Sequence, residues 1–186
     1  MHNKRVIILI SGGGSNMESI ARNVKDIDIV GVYADRECGG IDRAKNLGLI
    51  AELISSDFFK NIAEIIEDKQ VDFIILAGFL KILPSDFVKS GPPILNIHPS
   101  LLPKYGGKGC HGINVHRMVL EANEKYSGAS VHIVDTGIDT GPIIMQSFIS
   151  IEGLKTAEEI AARVLTTEHK LYSMAIKEFI RNGGDR

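Results

Sequence analysis

An alternation of short apolar runs with amphipathic segments constrains the fold of this chain more than any other feature. Residues 6–10 are continuously β-branched or aliphatic, which is typical of a parallel strand buried on both faces. Similar runs recur at 29–34, 51–54 and 73–77, with helical spacing of apolar residues between them. Strands that alternate with helices form right-handed βαβ units, so we expect an α/β fold with a Rossmann-like, doubly wound sheet.

The second half of the chain predicts an antiparallel end to this sheet. A strand is expected at 94–98, and the strand-like runs at 129–134 and 143–149 are separated only by a loop. Because two strands so close in sequence cannot be joined by a crossover helix, we expect them to pair antiparallel. The predicted sheet is therefore mixed, mostly parallel with an antiparallel C-terminal part, and it carries helices on both faces.

The composition excludes several classes of protein. The 186 residues include 21 Lys and Arg against 23 Asp and Glu, a formal net charge of −2, whereas domains that grip a nucleic-acid backbone are usually strongly basic. No apolar run approaches the roughly 20 residues that span a bilayer. Cys38 and Cys110 are far apart and are interpreted as reduced thiols. We therefore expect a cytoplasmic protein with neither a nucleic-acid nor a membrane partner.

The chain shows no linker or repeat, so we expect a single domain over residues 1–186. Its N-terminal nucleotide-binding half would cover residues 1–100 and its C-terminal half residues 101–186. Thr156 and Glu159 form a capping-box pattern that would begin the last helix, and two glycines at 183–184 would end it. The sequence leaves the assembly state open, with a homodimer among the alternatives.

A glycine-rich loop joins the first predicted strand to the first helix. Residues 11–16 are Ser-Gly-Gly-Gly-Ser-Asn, and glycines there let backbone N–H groups approach an anion at the positive end of a helix. The loop therefore predicts a site for a single phosphate group. It is not a P-loop, and Met17 replaces the third glycine of a dinucleotide fingerprint. The alternative is a tight turn in which Ser15 or Asn16 caps the helix.

A second candidate site lies at the end of the strand predicted at 94–98. Asn96 and His98 are two residues apart, so their side chains share one face of the strand. An amide donor beside an imidazole suits an oxyanion site, and histidine can transfer a proton near neutral pH. The alternative is a strand end whose polar groups bond only to local backbone.

Three further acids are candidates for this site. Asp135 is interpreted as a turn residue that bonds its own backbone. Asp139 could also be a turn residue, or its carboxylate could lie against His98, raise the pKa of that imidazole and fix its orientation. Glu168 falls on the apolar stripe of the last helix, where a buried carboxylate needs a partner. The alternative for Glu168 is a helix that twists enough to expose it.

The other histidines predict no metal site. His111 and His116 lie five residues apart, a spacing that zinc sites do not favour, and four convergent ligands are missing. His132 is expected on a strand surface without a role. Residues 104–112 are too glycine-rich for regular structure and predict a mobile loop near the site, or else a plain connector.

Together these motifs resemble the formyltransferase family that uses 10-formyltetrahydrofolate. The resemblance covers nearly the whole chain and is most specific at 96–103, Asn-Ile-His-Pro-Ser-Leu-Leu-Pro. The loop at 11–16 resembles the substrate-phosphate loop of the family, and residues 76–83 resemble the segment that lines its folate pocket. Residues 131–144 resemble its catalytic-aspartate loop, and Glu168 matches the acid of the final helix that binds substrate.

The resemblance implies that Asn96, His98 and Asp139 form a catalytic trio that needs no metal and no covalent enzyme intermediate. Asn96 and a protonated His98 would stabilise the oxyanion of a tetrahedral intermediate. Asp139 would raise the pKa of His98 and hold an ordered water that moves protons.

The resemblance also implies the two substrates. It is strongest to members that formylate the amine of glycinamide ribonucleotide in de novo purine biosynthesis, with 10-formyltetrahydrofolate as the co-substrate. Gly14, Ser15 and Asn16 would hold the ribose phosphate, and Glu168 would orient the amine-bearing substrate. The implied folate contacts are Leu80, Lys81, Ile82, Leu83, Asn96, Asp135 and Ile138.

Three departures from the family pattern concern the folate side. Lys81 stands where the family often has Arg, so a bidentate contact becomes a point-charge contact. The loop at 104–112 is longer and richer in glycine than in many relatives. Residues 56–68 are abbreviated, which leaves Lys60 as a candidate for the basic residue that contacts the folate glutamate tail.

Other functions remain as alternatives. Methionyl-tRNA formyltransferases carry an additional C-terminal domain, and formyltetrahydrofolate hydrolases carry an N-terminal regulatory domain, so we expect neither here. Sugar-amine formyltransferases use the same trio, but the glycine loop and Glu168 favour a phosphoribosyl substrate. Outside the enzymes, the chain could be a nucleotide-binding module that does not depend on His98.

Overall fold

A seven-stranded mixed sheet organises the protein, whose computed structural model describes residues 3–184. The strands are β1 (Lys4–Ile10), β2 (Ile27–Ala34), β3 (Ala51–Leu53), β4 (Phe73–Leu76), β5 (Ile94–His98), β6 (Tyr126–Ile133) and β7 (Ile143–Ser150). The helices are α1 (Ser15–Asn23), α2 (Gly39–Asn46), α3 (Phe58–Asp68), α4 (Ser85–Ser90), α5 (Ile113–Glu121) and α6 (Ala157–Arg181).

The strand order is β3-β2-β1-β4-β5-β6-β7. Strands β1 to β5 pair parallel, whereas β6 pairs antiparallel with both β5 and β7. The prediction of a doubly wound, mostly parallel sheet with an antiparallel C-terminal part is therefore confirmed. The short loop between β6 and β7 forces their antiparallel pairing, because it cannot form a crossover.

Apolar cores cover both faces of the sheet, which explains the continuous apolar run of β1. Successive side chains of a strand point to opposite faces. Ile8 accordingly packs in the core that includes Ile20 of α1 and Val164 of α6. Leu9 packs in the opposite core with Ile62 of α3, so β1 is buried on each side.

The boundaries of the elements follow local signals where those signals exist. Strand β5 begins and ends as predicted, and Thr156 and Glu159 form the predicted capping box at the start of α6. Helix α4 was not predicted, because its six residues bury only Val88 and show no helical period. Asn182 is the C-cap of α6, and the expected glycine pair follows it.

The strand order reverses between β1 and β4, and ligands of open α/β sheets bind where this happens, beyond the carboxyl ends of the strands. Helix α6 crosses the same region. The buried hydroxyl of Tyr172 lies 2.9 Å from the carbonyl oxygens of both Leu76 and Leu95, at β4 and β5. This anchor places Glu168, one helical turn earlier in α6, beside the strand ends.

Candidate active site

A cleft of about 870 Å³ opens at these strand ends, between α6, the first turn of α1 and the loops that follow β4, β5 and β6. It contains most of the residues that the sequence singles out. Those that line it are Asn16, Leu80, Lys81, Ile82, Leu83, Asn96, His98, Asp135, Ile138, Asp139 and Glu168. The loop at 11–16 is hereafter called the glycine loop. Its residues Gly14 and Ser15 do not line the cleft.

The glycine loop ends at Gly14, the N-cap of α1, whose φ of 74° is in the left-handed region. A Cβ at this position would lie 2.9 Å from the Cα of Gly40 in α2, so a side chain there is excluded by space as well as by conformation. No side chain caps α1 among the described residues, which makes the alternative of a Ser15 or Asn16 cap wrong. The first-turn N–H groups are thus left without a capping side chain at the positive end of the helix, as an anion site requires.

Asn16 and Glu168 form a buried pair that joins the glycine loop to α6. The Asn16 amide nitrogen donates to Oε2 of Glu168 over 2.7 Å, and Asn16 Oδ1 is buried without a partner among the described residues. Burial raises the pKa of the Glu168 carboxyl, and the Asn16 hydrogen bond only partly opposes this. The prediction that Glu168 is buried is confirmed, and its partner is a residue that sequence analysis placed on the phosphate instead.

His98 is 4% exposed and is held from two sides. Its Nε2 lies 2.8 Å from the carbonyl oxygen of Tyr105, so this nitrogen carries a proton and donates it. Its Nδ1 lies 3.4 Å from Oδ2 of Asp139. The imidazole is therefore oriented in the way that the catalytic hypothesis expects.

The net charge state of His98 differs from the expectation. Burial lowers the pKa of His98 below its usual range, and this effect exceeds the raising effects of Asp139 and of the Tyr105 carbonyl. The carboxylate does act in the predicted direction, but the sequence could not show how completely the ring is buried. Burial therefore favours the neutral imidazole, and a further negative charge beside the ring, in addition to Asp139, would favour its protonation.

Asp139 is oriented by the backbone of two loops. Its own φ is 57°, a left-handed conformation that Asp adopts more readily than most residues. Oδ2 accepts from the Gly107 N–H over 3.0 Å. Gly141, two residues later, lies so close to β6 that a Cβ would be 1.8 Å from the carbonyl oxygen of Ile133. Although burial raises the pKa of Asp139, contacts with His132, Gly107 and His98 outweigh it and hold the pKa below the usual range.

His132 is the member of the candidate site that sequence analysis missed. It is 2% exposed rather than on a strand surface, because β6 is covered on both faces. It pairs directly with Asn96 across β5 and β6, and the Asn96 amide nitrogen lies 3.1 Å from its Nε2. Since Nδ1 faces the Ile133 carbonyl oxygen at 3.2 Å, Nδ1 carries the ring proton and Nε2 accepts from Asn96.

We call Asn96, His98, His132 and Asp139 the His98 cluster. His132 Nε2 also lies 3.7 Å from Oδ1 of Asp139, so each member approaches another through a polar atom. Asn96 uses one amide proton on His132, which leaves its second for a group in the cleft. The apolar residues on both sides of His132 in the sequence indicate that it is buried. Its partner Asn96 depends on the strand register, which the sequence does not show.

The loop segments around the cleft differ in how firmly they are held. Residues 80–83 leave Leu80 and Ile82 exposed by 53% and 71%, while the Lys81 ammonium lies 5.7 Å from the Phe58 ring centroid. In the loop at 104–112, the Lys104 ammonium and the Tyr105 hydroxyl bond to Glu124, and later residues line the cleft. The position of this loop near the site agrees with expectation, and its mobility stays a prediction.

Asp135 is the turn residue that its sequence context indicates. Its Oδ1 accepts from the Gly137 N–H over 3.0 Å and from the Thr140 hydroxyl over 2.6 Å. The turn shapes the loop that carries Ile138 and Asp139 along the cleft wall. Within residues 3–184, no group of three or more His, Cys, Asp or Glu side chains is placed to hold a metal ion.

Comparison with known proteins identifies the family. The sequence model described as formyl transferase matches residues 4–176. The chain belongs to the formyl transferase family. The family segment contains the glycine loop, the whole His98 cluster and Glu168, so the cleft lies entirely within it.

Individual formyl transferases resemble the chain over most of its length. A phosphoribosylglycinamide formyltransferase of Escherichia coli is 36% identical over 187 residues, which cover 94% of this chain and 86% of that protein. A chloroplastic phosphoribosylglycinamide formyltransferase of Arabidopsis thaliana is 40% identical over 183 residues, or 91% of this chain. The chain spans only 63% of that protein and 58% of its Vigna unguiculata counterpart.

The fold of a solved formyl transferase agrees with the structure. The phosphoribosylglycinamide formyltransferase of Brucella melitensis superposes with a TM-score of 0.83 at 37% identity, covering 95% of each chain. None of the helices described in residues 3–184 has the length and apolar character needed to cross a membrane.

Proposed function

We propose that this protein transfers the formyl group of 10-formyltetrahydrofolate to the amine of glycinamide ribonucleotide. The products are formylglycinamide ribonucleotide and tetrahydrofolate, in de novo purine biosynthesis. The observation that carries the proposal is the His98 cluster in a cleft that also contains Asn16 and Glu168 of the glycine-loop side. The names of the relatives support the same reaction.

The His98 cluster supplies what formyl transfer to an amine needs. As the amine nitrogen attacks the formyl carbon, the carbonyl oxygen becomes an oxyanion. Asn96 donates a hydrogen bond to this oxyanion through the amide N–H that His132 does not use. The oxyanion and Asp139 then place two negative charges near His98, which favours its protonation. Because Nε2 of His98 already donates to the Tyr105 carbonyl, Nδ1 takes the proton that the attacking amine loses, relayed by the water that Asp139 would hold. The positive charge of the resulting imidazolium stabilises the oxyanion.

Collapse of the intermediate completes the transfer. The bond between the formyl carbon and N10 of the folate breaks, and N10 receives the proton that His98 holds. Asp139 stabilises the imidazolium throughout, because its Oδ2 lies 3.4 Å from His98 Nδ1. The Tyr105 carbonyl keeps the ring in one orientation. The protein is unchanged at the end and forms no covalent bond with either substrate.

In this proposal the ribonucleotide extends from the cleft to the adjoining glycine loop, and the folate occupies the other end of the cleft. Gly14, Ser15 and Asn16 bind the ribose phosphate through backbone N–H groups at the start of α1, and Glu168 orients the amine-bearing substrate. The folate lies against residues 80–83, Asn96, Asp135 and Ile138. Lys81 provides a positive charge at the rim, and Lys60 stays a prediction for the glutamate tail.

The proposal also covers the setting of the reaction. We place it in the cytoplasm, although the plant relatives are named as chloroplastic proteins. Both partners are small molecules, and neither a nucleic acid nor a membrane takes part. A homodimer stays a prediction, which sedimentation velocity would test.

The proposed reaction is tested by incubating the protein with both substrates and measuring formylglycinamide ribonucleotide by mass spectrometry. Wild type should form it in equal amount to tetrahydrofolate, and His98→Ala should not. An amino-sugar nucleotide serves as a competing acceptor. Ribonucleotide binding without turnover would indicate a nucleotide-binding module, and preferential formylation of the amino sugar would reject the proposed acceptor.

A further inference from the structure

Ser11 lies where the strand order reverses, and it connects three loop segments. It follows β1 directly, Asp35 follows β2, and Leu80 lies in the segment after β4. The Ser11 hydroxyl donates to Oδ1 of Asp35 over 2.6 Å, and the Leu80 N–H donates to the same hydroxyl oxygen over 2.9 Å. The Ser11 N–H also donates to the Gly78 carbonyl over 3.2 Å.

The direction of these hydrogen bonds is fixed by Asp35. A serine hydroxyl has one proton, and an ionised carboxylate can only accept it. Burial raises the pKa of Asp35, but the Arg36 guanidinium and the Ser11 hydroxyl outweigh burial and hold the pKa below its usual range. The Ser11 hydroxyl therefore keeps donating to Asp35, and its oxygen remains an acceptor for Leu80.

The contact with Leu80 is important because it is a backbone hydrogen bond in a segment otherwise held by side-chain packing, such as Phe79 on Phe58. The side chains of Leu80 and Ile82 are mostly exposed, and residues 79–83 form no helix or strand. Ser11, in contrast, is 7% exposed and directly follows the buried residues 6–10 of β1. The hydrogen bond thus ties residues 80–83, which line the folate side of the cleft, to the position of Ser11 at the start of the glycine loop.

We propose that Ser11 is a positioning residue that couples the two substrate subsites, so that binding of the ribonucleotide strengthens binding of the folate. The inference rests on the proposed function. Ligand at the glycine loop restricts the open residues Gly12 and Gly13, which follow Ser11 directly, and the hydrogen bond from Leu80 to Ser11 extends this restriction to residues 80–83. Coupling between sites is reciprocal, so the folate strengthens ribonucleotide binding by the same factor. One hydrogen bond supports a factor of about three to ten.

The test measures the dissociation constant of tetrahydrofolate by titration calorimetry, with and without saturating glycinamide ribonucleotide. Tetrahydrofolate carries no formyl group, so no turnover occurs. In wild type, the ribonucleotide should tighten tetrahydrofolate binding by about three- to tenfold. Ser11→Ala should reduce this ratio to about one.

Two variants separate coupling from a structural defect. Asp35→Ala releases the Ser11 hydroxyl while keeping the residue, and it should lower the ratio as well. Ser127→Ala is the matched control, because Ser127 is a buried serine of β6 whose hydroxyl has no hydrogen-bond partner among the described residues. Its ratio should equal that of wild type.

The outcomes distinguish this inference from the proposed function. If wild type forms formylglycinamide ribonucleotide but its ratio is one, coupling is rejected and the function stands. A wild-type ratio that persists in both Ser11→Ala and Asp35→Ala rejects the role of Ser11. If wild type binds neither ligand, the proposed function fails, and the coupling fails with it.

Discussion

The His98 cluster and the glycine loop lie at the same end of the sheet, yet they are built in opposite ways. The cluster consists of side chains from β5, β6 and the loop before β7, each held by polar contacts to another. The glycine loop presents backbone, and Cβ atoms at Gly12 and Gly13 would meet no other group within 4 Å. One region is filled with fixed polar and ionisable side chains, whereas the other is open space beside a helix N-terminus.

This contrast indicates a division of work. Charges that develop during a reaction need groups that are already oriented, which the His98 cluster provides. A phosphate keeps its charge throughout the reaction, so a row of N–H groups binds ground state and transition state alike. We therefore expect substitutions in the cluster to change kcat and substitutions in the glycine loop to change KM.

Apart from His98→Ala, the largest effect is expected for Asp139→Asn. The amide cannot stabilise the His98 imidazolium, so kcat should fall by about 10²- to 10³-fold while the KM for glycinamide ribonucleotide changes less than about threefold. Asp86→Asn, which changes an exposed acid of α4, should behave as wild type in the same steady-state assay. An unchanged kcat in Asp139→Asn would remove Asp139 from the mechanism.

A smaller effect, on affinity, is expected for Gly14→Ala. The new Cβ would press on Gly40 and displace the loop, so the ribonucleotide KM should rise about tenfold with kcat nearly unchanged. Gly48→Ala is the matched control, because its φ of 76° imposes similar strain with nothing within 4 Å of the Cβ. Gly48→Ala should lose about 1–2 kcal/mol of stability from the left-handed conformation alone, and Gly14→Ala should lose more because of its contact with Gly40. If Gly14→Ala and Gly48→Ala have the same KM for the ribonucleotide, the phosphate does not bind at the glycine loop.

The smallest effect is expected for Glu168→Gln. The ribonucleotide KM should rise by about three- to tenfold, because a charged acceptor is lost. Burial raises the folded pKa of Glu168 above its ordinary value of 4.5, so wild type loses stability as pH rises from 4.5 through the folded pKa. The amide that replaces the carboxyl in Glu168→Gln does not titrate, so the variant escapes this loss.

Thermal unfolding at several pH values measures this difference. The variant should gain stability relative to wild type as the pH is raised to about 7, and the gap should close below pH 4.5. Glu158→Gln, on the exposed face of α6, should show no such trend. If the difference in stability between Glu168→Gln and wild type does not depend on pH, burial of the Glu168 charge does not destabilise the protein.

The comparison also explains what the sequence could reveal. The glycine loop was predictable because its function depends on adjacent residues and on the helix that follows. Asn96 and His98 shared a strand face for the same local reason. His132 was not predictable, because its contact with Asn96 depends on the register of β5 with β6. The lowered pKa of His98 likewise depends on burial by distant segments.

The most direct test of the division of work is single-turnover formyl transfer in His98→Ala with both substrates saturating. We expect the rate to fall at least about 10³-fold, while the calorimetric dissociation constant of glycinamide ribonucleotide stays within about twofold of wild type. A rate within about tenfold of wild type would contradict the account, as would a loss of ribonucleotide affinity large enough to explain the lost rate.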